Sequence, residues 1–256
     1  MDFNQVKKYW EERASADSSA QSTTQDYYLR EIEFRVVKDL IGRYRPASVM
    51  DVGCGDARTT ARLADEFKGV KFVGGDYSKS MVRNAQGNID SAGIDNLSVM
   101  LCDVTKPLPR QQLDMIYSTR CLINLPAWEL QQTALNNIAD ALVVGGLYVM
   151  IENFVEGQEN FNAIRRNFEL PEIPVREHNL FFNRANLMDF VSTSFDVVEE
   201  VNISSAYYLV SRAIYSKICQ EEEVAPDYFD AHHKYEAQLP FFGEFGPVRM
   251  ICMRRK

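Results

Sequence analysis

The chain predicts an α/β protein built on a mostly parallel sheet covered by helices on both faces. Three observations carry this expectation. From residue 47 onward, short apolar runs bounded by Gly, Pro or Asp alternate with helical segments, the pattern of parallel strands joined by crossover helices. One run, Val49-Met50-Asp51-Val52-Gly53-Cys54-Gly55-Asp56, passes straight into a glycine turn and then a helix. The 256 residues are 46% hydrophobic and 25% charged, with 13 Gly and 9 Pro, enough apolar material for one large core and too much for a disordered chain.

Residues 1–46 read as an N-terminal helical cap. Its start is polar, and Ser15 to Thr24, rich in Ser, Ala, Gln and Thr, reads as a mobile lead-in. A helix follows, because Leu29, Ile32, Val36, Val37 and Leu40 recur at three- and four-residue steps; Thr23 and Asp26 form a capping-box pattern, and Gly42 with Pro46 supplies a stop. Residues 47–256 read as the sheet domain. Strands are expected at about 48–52, 70–74, 97–101, 114–118 and 146–152. Helices start after Asp56, after Ser78 and after Pro126, the last with Trp128, Leu135, Ile138 and Leu142 on one face. Beyond Asn153 the alternation stops: an insert at about 154–183, containing Pro171 and Pro174, lies over the sheet edge. The pattern resumes with a helix at 184–191 and strands at 195–203 and 248–253, separated by a second insert at about 204–246. That insert holds a helix over 206–219, the acidic triplet Glu221 to Glu223, and Phe241, Phe242 and Phe245. There is no internal repeat and no heptad pattern, which excludes solenoids and rods.

Charge and composition narrow the function. Lys and Arg number 28 against 36 Asp and Glu, and a net charge of -8 argues against a nucleic-acid substrate. The five cysteines are far apart with no C-x-x-C, and only three histidines are present, so neither a disulfide framework nor a metal site is expected. No window reaches the roughly 18 apolar residues of a membrane span, and the start lacks a secretory apolar run, so the chain reads as cytoplasmic and free of the membrane.

The glycine turn carries the chemistry. Gly53 and Gly55 let backbone amides approach a ligand closely. No Lys-Ser/Thr follows, so the turn is not a P-loop, and Arg58 stands where the dinucleotide fingerprint has its third glycine. Asp76 ends the second strand 21 residues after Gly55, the spacing that places a carboxylate on a ribose diol, and Asp103 ends the third strand. With Asp51 nearby, these carboxylates face the crevice where open α/β sheets bind ligands.

These residues resemble the class I S-adenosylmethionine (SAM) dependent methyltransferases. Asp51 to Gly55 is similar to the family's first motif, Gly75-Asp76-Tyr77-Ser78 to its ribose-binding acid, Cys102-Asp103-Val104 to its adenine-contacting segment, and Val144-Gly145-Gly146-Leu147 to the turn before the fifth strand. The resemblance implies a Rossmann-like seven-stranded sheet, mostly parallel with the last strand antiparallel, carrying a helical cap and inserted lid segments. It also implies that Gly53, Cys54 and Gly55 lie against the methionine part of SAM, Asp76 accepts the ribose hydroxyls, Asp103 accepts the adenine amino group, and Tyr77 and Val104 flank the ring, with Asp51, Met81 and Tyr28 nearby. Arg30 is the preferred partner of the methionine carboxylate, and Arg120 competes for it.

For an acceptor that must lose a proton, His178 in the first insert is the candidate base. Tyr27, Asn179, Tyr207 and Tyr208 are candidate acceptor contacts, tyrosines having a polar end. The segments Tyr117 to Pro126 and Tyr207 to Arg212 are similar to bacterial methyltransferases of surface-glycan or natural-product pathways, which implies a small hydroxyl or amine acceptor. The Asn-Pro-Pro-Tyr signature of base methylation is absent, since Tyr117-Ser118-Thr119-Arg120 occupies its place. The expectation is therefore methyl transfer from SAM to an oxygen or nitrogen of a small molecule, such as a sugar or natural-product intermediate, by a monomer or homodimer without metal. An NAD-dependent oxidoreductase shares the first turn and the ribose acid but lacks a Tyr-x-x-x-Lys pair here; a non-catalytic SAM-binding protein is the third alternative.

Overall fold

Alternation along the strands decides the layering. The computed structural model describes residues 1–16, 26–109 and 112–256. In the first strand, β1 (Ser48–Val52), Val49 packs into one core while Met50 and Val52 pack into the other. The same period of two places Met115 and Tyr117 opposite Ile116 in β4 (Leu113–Thr119), and Val149 opposite Tyr148 and Met150 in β5 (Leu142–Asn153). Each such side chain, taken fully out of water, contributes about 1.5–3 kcal/mol.

With β2 (Lys71–Asp76), β3 (Leu97–Leu101), β6 (Phe195–Asn202) and β7 (Val248–Arg255), the strands form one seven-stranded sheet in the order β3-β2-β1-β4-β5-β7-β6. The pairs from β3 through β5 are parallel, and β7 is antiparallel to both β5 and β6. Strand order reverses between β1 and β4, and that switch point opens a crevice at the carboxyl ends of those strands. Helices α2 (Tyr27–Tyr44) and α3 (Arg58–Glu66) cover one face with α4 (Lys79–Ala92); α5 (Trp128–Ala141) and α7 (Arg184–Val191) cover the other.

Several boundaries differ from the sequence expectation. The polar start is not a lead-in: α1 (Phe3–Ala16) runs through it, with Val6 and Ala14 buried. Phe3, Val6 and Trp10 recur at helical spacing, a stripe hidden among charged residues. Of the expected lead-in only Ser15 and Ala16 are described, and they end this helix; Thr23 lies outside the described residues. Asp26 does cap α2, accepting from the Leu29 amide at 3.1 Å. Gly42 does not stop that helix, which continues to Tyr44 and turns out through Arg45 at φ 51°.

β5 starts at Leu142, so the last apolar residue expected on the α5 face opens the strand instead. The first insert contains α6 (Val155–Asn167), because its prolines come only after the helix has ended. In the second insert the expected helix is α8 (Ser205–Tyr208), a π-helical stretch Leu209–Ile214 and α9 (Tyr215–Glu221). His233, which stands in a polar, acidic stretch of the sequence, opens α10 (His233–Glu236) and is fully buried, bonded to Glu236 at 2.6 Å and the Asp227 carbonyl at 3.0 Å. Among the described residues, no helix is long and apolar enough to cross a membrane.

Candidate functional site

After β1 the backbone must turn sharply beneath β2. The amides of Gly53 and Cys54 both donate to the Gly75 carbonyl, at 2.7 and 3.1 Å. Gly53 has φ 77°, and a Cβ there would lie 2.3 Å from the Cys121 Sγ, so side-chain-free backbone is required at this point. Gly55, at φ 56°, donates its amide to Asp76 Oδ2 at 3.0 Å, while the Ser78 amide donates to Oδ1 at 2.9 Å. Two backbone donors thus aim the Asp76 carboxylate; burial nevertheless pushes its pKa up to about 6.

Asp51 holds the turn from behind. It accepts from the Thr60 hydroxyl at 2.5 Å and from the Tyr117 hydroxyl at 2.9 Å, and burial pushes it to about 7. Near the end of β5 a third buried carboxylate shapes the opposite lip. Glu152 accepts from the Ser118 hydroxyl and from the amides of Cys121, Leu122 and Ile123, at 2.9, 3.1, 2.9 and 3.3 Å. Burial pushes its pKa to about 7 against these four donors. This turn sets Cys121 against Gly53 and puts Arg120 at φ 49°.

A cavity of about 500 Å³ opens between the two lips. Arg30, Gly53, Cys54, Gly55, Asp76, Tyr77 and Met81 line one half; Arg120, His178, Asn179 and Tyr208 line the other. A second cleft of only about 30 Å³ lies beside it, walled by Tyr77, Asp103 and Val104 and roofed by Phe3 and Val6 of α1. There Lys7 donates to Asp103 at 2.6 Å, and Thr105 donates to the same carboxyl through its hydroxyl at 2.7 Å. Partial burial works to raise the Asp103 pKa, but Lys7 and Thr105 outweigh it and hold the group below its ordinary value.

Of the expected contacts, Asp103 and Val104 line only the second cleft, and three tyrosines reach neither. Asp26, Leu29, Arg30 and Glu33 line the cavity, one helical face of α2 at the i, i+3, i+4, i+7 positions. Tyr27 and Tyr28 are therefore turned aside: Tyr27 is 52% exposed, and Tyr28 packs toward His233 with ring centroids 6.0 Å apart. Tyr207 is buried behind the wall, its hydroxyl donating to Asp26 at 2.8 Å.

Arg120 forms a two-point pair with the buried Glu33, Nε to Oε1 at 2.6 Å and Nη2 to Oε2 at 3.0 Å. Burial lowers the Arg30 pKa, with Asp56 opposing. His178 is 8% exposed, stacked on Tyr9 at 4.7 Å and edge-on to Trp10 at 5.8 Å. Burial, aided by Arg176 and Arg13, lowers its pKa, so the imidazole is neutral at neutral pH.

Residues 45–182 match a family model described as a methyltransferase domain, just over half of the chain. The chain belongs to the methyltransferase domain family. Among curated relatives, trans-aconitate 2-methyltransferase of Variovorax paradoxus is 31% identical over 99 residues, covering 37% of this chain and 36% of that protein. An uncharacterized protein of Methanocaldococcus jannaschii is 26% identical over 138 residues, 54% of this chain and 34% of its own length. The matches thus span about a third of these relatives.

Solved structures share the fold along nearly the whole chain. The N-methyltransferase NodS of Bradyrhizobium japonicum, in complex with S-adenosyl-L-homocysteine (SAH), has a TM-score of 0.59 at 12% identity, covering 99% of this chain and 97% of its own. A structure described as the complex between the Haloferax volcanii Trm112 methyltransferase activator and the putative methyltransferase matches at 0.58 and 19% identity, covering 97% and 96%.

In this methyltransferase domain the first half of the cavity is built from consecutive backbone at strand ends, whereas the second is assembled from distant side chains. Trp10 and Arg13 come from α1, Asn153 from the end of β5, Arg176 from the first insert, and Arg212 and Tyr228 from the second. Sequence reasoning missed all six. The available signals were Asn153 closing an otherwise apolar strand and Arg212 within a helical segment whose neighbours bury.

Proposed function

We propose that this domain transfers a methyl group from SAM to an oxygen or nitrogen of a small molecule, such as a sugar or natural-product intermediate, in the cytoplasm and as a monomer or homodimer. In this reading residues 1–46 cap the catalytic unit formed by residues 47–256. The observation that carries the reading is the glycine cradle and the buried Asp76 carboxylate, aimed by two backbone amides into one end of a cavity of about 500 Å³ at the sheet's switch point.

The residues present fit the cofactor. The bare backbone at Gly53 leaves room where a Cβ would collide, Asp76 has lone pairs left to accept two ribose hydroxyls, and Arg30 supplies a cation beside the cradle for the methionine carboxylate. Asp103 and Val104 with Tyr77 wall the adenine side. The sulfonium supplies a methyl group already activated for transfer. The protein's work is to align donor and acceptor and to exclude water, worth up to about 7–11 kcal/mol. Gly53, Gly55, Asp76 and Arg30 would hold the donor, and the side chains of the other half would aim the acceptor's lone pair at its methyl group. When the acceptor carries a proton to lose, neutral His178, at the acceptor end, takes it; such a base contributes about 10² to 10⁴ in rate.

Acceptor-dependent appearance of SAH tests this. The wild type forms SAH from SAM with its acceptor, and His178→Ala turns over more slowly at unchanged SAH affinity. Full activity of His178→Ala would remove the base, and a nicotinamide absorbance change in place of SAH formation would overturn the reading as a whole.

A further inference from the structure

Apart from the ion-paired Glu33 and Arg120, two buried polar atoms of residues on the acceptor half of the cavity have no hydrogen-bond partner among the described residues. One is Nη1 of Arg212, a side chain only 9% exposed; the other is Oδ1 of Asn153, the last residue of β5. Both residues line the same cavity of about 500 Å³. Buried donors and acceptors are rarely left unmade, because each costs about 1–3 kcal/mol.

The rest of Arg212 is held firmly. Nη2 donates to Asp26 Oδ2 at 2.8 Å, and the guanidinium carbon stands 3.7 Å from the centroid of the Tyr228 ring. Asp26 is fixed in turn, since it caps α2 and accepts from Tyr207. Arg212 sits inside the π-helical stretch, an irregularity that often marks functional positions. One edge of the guanidinium is therefore spoken for and the plane is stacked, while Nη1 on the other edge is buried without a partner among the described residues. Net charge does not single this wall out: the five arginines that line the cavity, Arg212 among them, are matched by Asp26, Glu33, Asp51, Asp56 and Asp76.

We propose that the methyl acceptor carries a carboxylate, that Arg212 receives it through Nη1, and that Asn153 Oδ1 accepts a hydrogen bond from an O–H or N–H on the same molecule. The inference rests on the methyltransferase reading and names its substrate class. A guanidinium edge matches a carboxylate in shape and charge, and a buried one discriminates strongly against a neutral analogue that leaves it unpaired.

The test uses the full chain saturated with SAH and titrated calorimetrically with succinate, trans-aconitate, lactate and glycine, each beside its amide. Acids from this panel bind and the amides do not. Arg212→Met weakens acid binding about 10- to 100-fold, and Arg212→Lys restores part of it. Because Arg212→Met removes a cationic partner of the Asp26 carboxylate, the double variant Arg212→Met/Asp26→Asn is measured too, with SAH affinity and thermal midpoint checking that the fold is kept. Equal binding of acids and amides, or acid binding insensitive to Arg212→Met while SAH still binds, would overturn the proposal. Failure of the wild type to bind SAH would instead overturn the methyltransferase reading and the substrate class with it.

Discussion

Asp76 stands where burial and hydrogen bonding oppose each other. Its carboxyl is 8% exposed and titrates near 6, above the ordinary range, although two amides favour the charged form. Only the ionised group offers lone pairs to both hydroxyls of a ribose diol. SAH affinity should therefore rise as pH increases through about 6, between about pH 5 and about pH 7.5. Asp76→Asn should bind SAH about 10- to 100-fold more weakly at the upper pH and lose that slope, as calorimetry at the two pH values would show. Glu152 makes the complementary case for structure. Its four donors leave no place for an amide N–H₂, so Glu152→Gln should lower unfolding stability by about 1–3 kcal/mol in a denaturant titration.

Among the elements, α1 is the one whose position would have to change if adenine is held between Tyr77 and Asp103, as proposed. The cleft between Tyr77, Asp103 and Phe3 has about 30 Å³, space for a couple of water molecules and not for a purine. Adenine binding there needs α1 to lift and Lys7 to release or share Asp103. The Lys7 and Asp103 side chains are 31% and 23% exposed, so the ion pair is a weak latch, about 0–1 kcal/mol. The α1 amides should exchange hydrogen quickly in the free protein and become protected when SAH binds, which exchange mass spectrometry would detect. No change in α1 would mean that the adenine lies elsewhere.

This helix also shows what the sequence hid. Strands β1 to β5 were legible because apolar runs ending in Gly or Asp leave little choice of structure, and the cradle was legible because it is consecutive backbone. In α1 the apolar stripe is sparse between charged residues. Tyr27 and Tyr28 have the right chemistry for a pocket, and only the rotation of α2, fixed by the Asp26 cap, turns them away from it. Arg212 could not be placed from sequence either, because it meets Asp26 across 186 positions.

At the scale of the molecule, three buried carboxyls, Asp51, Asp76 and Glu152, titrate at about 7, 6 and 7. Each folded value lies above its unfolded one, so the native state holds more protons between about pH 4 and about pH 7 and these groups contribute less stability as pH rises through that window. The free protein should melt highest near the acid end of this range and lower at about pH 8 in thermal scans; a midpoint that rises steadily with pH would mean these carboxyls are ionised in the folded state. The three sit around the crevice at the switch point, so the fold concentrates its electrostatic cost where a ligand is to be held.

The most direct measurement is calorimetric titration of the protein with SAH and with NAD, repeated on Asp76→Ala. SAH should bind, NAD should not, and the variant should remain folded while losing most of its SAH affinity. NAD binding without SAH binding, or SAH binding that Asp76→Ala leaves unchanged, would contradict the assignment of this crevice to the methyl donor.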